Sequence, residues 1–236
     1  MFTTRSYKLE RIDTGDYTPE EYERFLREIA FINRTLGDKQ ALKKTLLREI
    51  ENKNLSTFNV LDVGAGSGEL LRAVADFARK QNRKAALFGL ELNARSAAAI
   101  LEESAKYAEI RAVRGDAFHL PFADNSFDYA FCSLFTHHFT DENVVKIISE
   151  MNRIARRKIF VVDLHRHRAA YHLYKIFCRA FRISPLVRED GLLSILRSFK
   201  LGELIRLAND AHLKNISVKR CFPFRLVLEG EKINRS

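Results

Sequence analysis

Cysteine is scarce in this chain: Cys132, Cys178 and Cys221 are the only three among 236 residues. An odd number at wide spacing forms neither a disulfide frame nor a zinc-ligand set, and it points to reduced thiols in a cytoplasmic protein. Cys132 falls inside an apolar run, where cysteine serves as a small hydrophobe more often than as a nucleophile. Long apolar runs are missing as well; none approaches the ~18–20 residues of a membrane-crossing helix. The stretch Met1–Ser6 lacks the apolar segment of a secretory signal. Acidic residues are the minority, 30 against 40 lysines and arginines, which leaves a net charge of +10. Such a balance suits nucleic acid, an anionic membrane surface or an acidic substrate, and equally an ordinary basic surface. With 46% hydrophobic and 30% charged residues the chain is not disordered, and its length fits one α/β domain with a short helical accessory part.

What is present starts with Val60-Leu61-Asp62-Val63-Gly64-Ala65-Gly66-Ser67-Gly68-Glu69-Leu70-Leu71. An apolar run ends in an acid, three alternating glycines follow, and a helical pattern begins, which reads as strand, tight turn and helix. Glycines there let a ligand approach the backbone and tolerate positive φ. In open α/β sheets a nucleotide-like cofactor binds at the carboxyl end of such a first strand. A dinucleotide fingerprint needs Gly-x-Gly-x-x-Gly. Here the third glycine comes one residue early and Glu69 takes its place, where a carboxylate would repel a diphosphate. No Gly-Lys-Ser/Thr follows, so a P-loop is excluded. An adenosine-bearing cofactor without phosphate fits better, and a turn made only for packing is the competing reading.

A second apolar run, Ala85–Glu91, ends in a carboxylate 27 residues past Gly64. That is the range of the acid which accepts hydrogen bonds from ribose hydroxyls in a βαβ unit. Ile110–Ala117 is a third strand candidate with Asp116 at its end. Leu120-Pro121-Phe122-Ala123-Asp124-Asn125-Ser126-Phe127-Asp128 leads into a fourth at 129–134. Together these motifs resemble the class I S-adenosylmethionine-dependent methyltransferases, closely over residues 57–164. The Leu120–Asp128 run and the His137-His138 pair most resemble the branch acting on quinones, sterols and other small molecules. The resemblance implies that Asp62 and the Gly64–Gly68 turn hold the methionine end of S-adenosylmethionine. It implies that Glu91 takes the ribose hydroxyls, that Asp116 accepts from the adenine amine and that the Ala117 amide donates to a ring nitrogen. Ala65, Gly66, Leu92 and Ser133 complete the cofactor-binding set it implies. Asp116 also reads as a turn residue after glycine, and Asp128, just before a buried strand, reads as structural.

Alternating strands and helices predict a doubly wound, mostly parallel, seven-stranded Rossmann-like sheet with an antiparallel edge hairpin. The expected elements are helix 68–81, strand 85–91, helix 94–107, strands 110–114 and 129–134, helix 141–155, strand 158–163, helix 200–211 and strands near 215–220 and 223–229. Residues 1–55 form a helical cap segment before the domain at 56–236. Within the cap, Thr18 caps a helix with Pro19 at its first position, Gly37 breaks the pattern, and a second helix covers Ala41–Ile50. Its Glu10-Arg11-Ile12-Asp13 and Phe31–Gly37 stretches resemble a leader of small-molecule methyltransferases from bacterial biosynthetic clusters. Residues 164–199 form a helical insertion after the fifth strand. There Ala169, Ala170, Leu173, Ile176, Phe177, Ala180 and Phe181 mark an apolar helix face with Arg168, Lys175, Arg179 and Arg182 between. Such a helix is a lid over an apolar pocket, a contact for a membrane surface, or an ordinary domain helix.

Methyl transfer to a phenol or enol needs a group to take the acceptor's proton, and a positioned histidine does this near neutral pH. His165 is the first candidate, with His167 second, both just past the fifth strand; His137 follows the fourth strand and lines the site. No spacing of these histidines with Asp163 matches a zinc pattern, so no metal is expected. The expected function is methylation of a small, lipophilic or aromatic, phenolic or polyketide-like acceptor, on oxygen ahead of carbon. An RNA or protein methyltransferase is the alternative suggested by the charge, and a cofactor-binding domain without catalysis is a third reading. Ser133-Leu134-Phe135-Thr136 stands where enzymes that methylate exocyclic base amines resemble one another in Asn/Asp-Pro-Pro-Tyr/Phe, and no RNA-binding module is recognisable. Nucleic acid is therefore disfavoured as a partner, while peripheral membrane contact stays open.

Overall fold

A computed structural model of the protein describes residues 2–36 and 38–232; Gly37, the expected helix break, lies outside them. Seven strands build one sheet: β1 (Thr57–Val63), β2 (Lys84–Glu91), β3 (Ile110–Arg114), β4 (Phe127–Ser133), β5 (Ala155–Leu164), β6 (Lys214–Cys221) and β7 (Arg225–Glu231). Their order is β3-β2-β1-β4-β5-β7-β6. The first five strands pair in parallel, and β7 runs antiparallel to both β5 and β6. The direction of winding reverses between β1 and β4. At that switch point the crevice outside the carboxyl ends of the strands is open to a ligand.

Tyr129–Cys132 of β4 is apolar and fully buried because helices cover both faces of the strand. On one face α5 (Glu69–Lys80) buries Leu71, Val74, Ala75 and Ala78. On the other, α7 (Asp141–Ile154) buries Val144, Ile147, Ile148, Met151 and Ile154 beside Leu204, Leu207 and Ala208 of α10 (Leu201–Asp210). α6 (Ala94–Glu103) starts at Asn93, whose side chain accepts from the Arg95 amide, and α7 at Thr140, which accepts from Asn143. Asp128 has the structural role expected of it: it accepts from the Asn59 amide and from Arg156 and Arg157, tying β4 to β1 and β5.

The N-terminal segment holds α1 (Arg11–Thr14), α2 (Pro19–Thr35), α3 (Asp38–Leu42), a π-helical turn at Lys43–Leu47 and α4 (Arg48–Asn52). Thr18 caps α2 and pairs reciprocally with Glu21, with Pro19 at the first position. Leu42, Leu46, Leu47 and Ile50 pack into the core beneath β1. After β5 come α8 (Arg168–Ala180) and a helix not foreseen as such, α9 (Pro185–Arg197). The buried positions of α9 include Asp190, Ser194 and Arg197 beside Leu186, Val187 and Ile195, so its apolar periodicity is broken. Ser184 followed by Pro185 was the readable start signal. The last strand begins at Arg225 and not at 223, because Phe222, Pro223 and Phe224 make the hairpin turn and proline has no amide hydrogen for the ladder.

Candidate active site

The turn after β1 is built as its glycines require. Gly64, Gly66 and Gly68 have φ of 73°, 58° and 79°, a region that costs other residues ~1–2 kcal/mol. A Cβ on Gly64 would strike the Phe135 ring, whereas one on Gly66 would meet nothing within 4 Å, so the turn is packed beneath and open above. The Gly64 amide donates to Leu90 O at 2.9 Å, which locks the turn to the end of β2. The Gly66 amide donates to Glu91 Oε1 at 2.6 Å. A cavity of about 410 Å³ opens over this turn, lined by Asp62, Gly64, Ala65, Gly66, Ser133 and residues of α2, α5 and α6. Burial and then the nearby Glu91 carboxylate push the Asp62 carboxyl well above its usual range. Asp62 Oδ1 and Ser133 Oγ are buried without a hydrogen-bond partner among the described residues. Unpaired buried acceptors are costly, and a ligand bearing an ammonium or hydroxyl groups would satisfy them.

A second cavity, about 700 Å³, adjoins the first; the two share Ile29, Asn33, Ser96 and Leu134. Leu134 follows β4 with φ 51°, a strained non-glycine residue at the junction. Most of the lining is apolar: Phe25, Ile29 and Ile32 from α2, Leu173 and Phe177 from α8, and Ile195 from α9. Its polar lining includes Glu10, Asp13, His137 and His138, which lie together, and His165.

His137 is fixed there. Its Nδ1 lies 2.7 Å from Asp163 Oδ1, while Asp163 Oδ2 accepts from the Thr136 hydroxyl at 2.6 Å and the His137 amide at 3.0 Å. Burial opposes ionisation of Asp163, but the His137 ring, the Thr136 hydroxyl and the Leu164 amide outweigh it and hold the carboxyl at about 2. A carboxylate facing Nδ1 selects the tautomer with hydrogen on Nδ1 and leaves Nε2 as the lone-pair nitrogen. Glu10 is also buried; it accepts from Ser194 Oγ at 2.9 Å and lies 3.8 Å from Arg197 Nε. Burial pushes it up to about 7 against the opposing His138, Ser194 and Arg197. His165 is pushed down to about 4, first by burial and then by His167, Arg220, Arg166 and Lys200.

The structure brings Asp62, Gly64, Ala65, Gly66 and Ser133 to one cavity, and His137 and His165 to the adjoining one; Glu91 lines the latter and reaches the glycine turn. Gly68 serves as the N-cap of α5. Leu92, Asp116 and Ala117 line neither cavity but stand along the same sheet edge, after β2 and β3. Asp116 accepts the Phe118 amide at 2.9 Å, its turn role. His167 is exposed, and its Nδ1 accepts from the Ala169 amide as the N-cap of α8. Glu10 and Asp13 are residues of the site that motif reasoning did not assign. They sit in an aperiodic stretch and are held at the site by Arg197, which donates to the Lys8 carbonyl and pairs with both, and by Ser194, which donates to Glu10. Glu10, His137 and His138 bring potential metal-ligand atoms within 4.8 Å of one another, and the Arg197 guanidinium already faces these carboxyls, 3.3 Å from Asp13.

Residues 61–162 match the family described as a methyltransferase domain. The chain carries a methyltransferase domain. Demethylmenaquinone methyltransferase from Bacillus licheniformis is 26% identical over 173 residues, covering 66% of this chain and 70% of that protein. The methyltransferase fold is shared with magnesium protoporphyrin IX methyltransferase from Synechocystis PCC 6803, solved with bound S-adenosylhomocysteine. There the TM-score is 0.66 at 17% identity, over 95% of this chain and 100% of that one. A Nostoc punctiforme protein assigned as an O-methyltransferase superposes with a TM-score of 0.55 at 19% identity, over 74% of this chain; the methyltransferase described here spans about half, 52%, of that protein.

Proposed function

We propose that this methyltransferase binds S-adenosylmethionine over the glycine turn and methylates a lipophilic, ring-bearing small molecule held in the larger cavity, on oxygen ahead of carbon. The observation that carries the reading is the meeting of two cavities at Leu134 and Ser96, one lined by glycine turn and acids, the other apolar with a histidine–carboxylate pair at one end. Bound S-adenosylmethionine supplies an electrophilic methyl group on a sulfonium. Asp62 Oδ1 and Ser133 Oγ, which have no hydrogen-bond partner among the described residues, would hold its polar amino-acid end, and Glu91 would accept from the ribose hydroxyls in place of the Gly66 amide. Leu92, Asp116 and Ala117 would meet the adenine along the sheet edge.

The apolar walls hold the acceptor and exclude water, while the polar end receives its hydroxyl. His137 Nε2 is the proton acceptor: Asp163 orients the ring and stabilises the imidazolium that forms, so the acceptor oxygen, as it gives up its proton, gains the electron density with which it bonds the methyl group. Alignment of acceptor and cofactor by a rigid pocket supplies up to ~7–11 kcal/mol in favourable cases. His165 ranks behind His137, because a ring held at about 4 is a weak base near neutral pH; it orients the acceptor. The helices at 1–55 and the 164–199 insertion act together as the acceptor-side cap. An apolar cavity walled by phenylalanines and leucines suits neither a phosphodiester nor a charged protein segment, which favours the small-molecule reading over the RNA or protein one.

Calorimetric titration with S-adenosylhomocysteine, using Glu91→Ala as control, tests the cofactor half. Micromolar binding weakened at least tenfold in the variant is expected, and no binding by folded protein would overturn the reading. A screen of alkyl-substituted phenols and quinols with labelled S-adenosylmethionine tests the acceptor half; turnover confined to small hydrophilic acceptors would refute it.

A further inference from the structure

The outward side of α8 continues the apolar lining of the larger cavity onto the protein surface. Leu173, Ile176 and Phe181 are 53%, 64% and 55% exposed, and Phe222 at the β6–β7 turn is 77% exposed. Leu173 and Phe222 also line the cavity, so the cavity mouth and this surface are continuous. Leu173, Ile176 and Ala180 follow helical spacing on an exposed stripe distinct from the one that buries Ala170, Tyr174 and Cys178. Water gains nothing from such a stripe, and an exposed apolar patch at a cavity mouth marks a contact surface. Arg168, Lys175, Arg179 and Arg182 flank it, all exposed. No acidic residue lies between Asp163 and Glu189, so nothing within the segment neutralises them. No described helix is long and apolar enough to cross a membrane, whereas a basic helix with an apolar outer stripe lies in the plane of a bilayer interface.

We infer that α8 and the Phe222 turn seat this protein on an anionic bilayer surface, with the acceptor cavity opening toward the lipid. Basic side chains engage the headgroups, Ile176, Phe181 and Phe222 enter the acyl boundary, and a lipophilic acceptor passes between Leu173 and Phe222 without crossing water. The docking stands on the surface alone; the delivery of acceptor rests on the function proposed above.

Co-sedimentation of the full chain with vesicles tests it. Vesicles of phosphatidylcholine with one quarter phosphatidylglycerol are compared with phosphatidylcholine alone. Binding to the anionic vesicles that weakens with salt is expected, with little binding to the neutral ones. Lys175→Glu with Arg179→Glu should lower the partition coefficient about tenfold or more, and Ile176→Ser should lower it separately. These three side chains line neither cavity, so S-adenosylhomocysteine affinity should be unchanged, which shows the variants are folded. No binding to anionic vesicles, or equal binding by the charge-reversed variant, would overturn the docking. Capture by soluble polyglutamate without vesicle binding would also overturn it and assign the face to an acidic protein. Methylation of a dispersed alkylphenol by protein that ignores vesicles would refute docking and leave the acceptor reading standing; vesicle binding without methylation of any acceptor would do the reverse.

Discussion

Two buried carboxyls near His137 titrate in opposite directions. Asp163 is held at about 2 by the ring and donors that surround it, while Glu10 is raised to about 7 by burial. Environments that separate titratable groups in this way divide acid and base roles. His137→Gln should cut turnover ~10²-fold or more while S-adenosylhomocysteine affinity stays as in the wild type, measured by steady-state kinetics and calorimetry. His165→Ala should cost less; a larger loss there would restore His165 to first place. Glu10 also links stability to pH. Between about 4.5 and about 7 the folded protein holds a proton on Glu10 that the unfolded chain has released, so stability falls as pH rises through that window. Urea denaturation at pH 5 and pH 7.5 should show the wild type losing stability relative to Glu10→Gln. Asp163 acts the other way: its contribution is complete above pH 3.8 and is lost as pH falls toward about 2.

At the level of elements, α8 and α9 cross where Gly191 faces Tyr174. A Cβ on Gly191 would overlap the Tyr174 ring, whose hydroxyl donates to Val187 O at 3.0 Å. Gly191→Ala should therefore force the helices apart and destabilise the fold by ~1–3 kcal/mol, read from urea denaturation. Cofactor-side binding should persist, because the glycine turn belongs to a different part of the core. The crossing explains why α9 was harder to read than α5. The apolar residues of α5 face a flat sheet and keep the helical period. The inner face of α9 must satisfy Arg11 and Ile12 amides through Asp190 and Glu10 through Ser194, so polar residues interrupt the pattern. Strands β1 and β4 were legible for the converse reason: both faces are covered and their centres, Val60-Leu61 and Tyr129–Cys132, are apolar.

For the whole molecule, ligand and fold are one equilibrium. Saturation with S-adenosylhomocysteine at about 100 times Kd should stabilise the folded state by ~2.7 kcal/mol, seen as a raised Tm in a thermal-shift assay. The shift should shrink in Glu91→Ala at the same concentration. The sheet places both cavities along the carboxyl ends of its strands, where the winding reverses between β1 and β4.

The chain's own pattern determined the sheet, the glycine turn and the acid at the end of β2, because each depends on local periodicity, on φ that only glycine adopts cheaply, or on short spacing within a βαβ unit. Tertiary structure alone decided which histidine pairs with a fully buried carboxylate and which helices wall the larger cavity. His137 meets Asp163 across 26 residues, and Glu10 meets Ser194 across 184. His167, beside His165 in sequence, turns away to cap α8. Pairings of this kind follow from packing between distant elements, which leaves no periodic trace in the residues that make them.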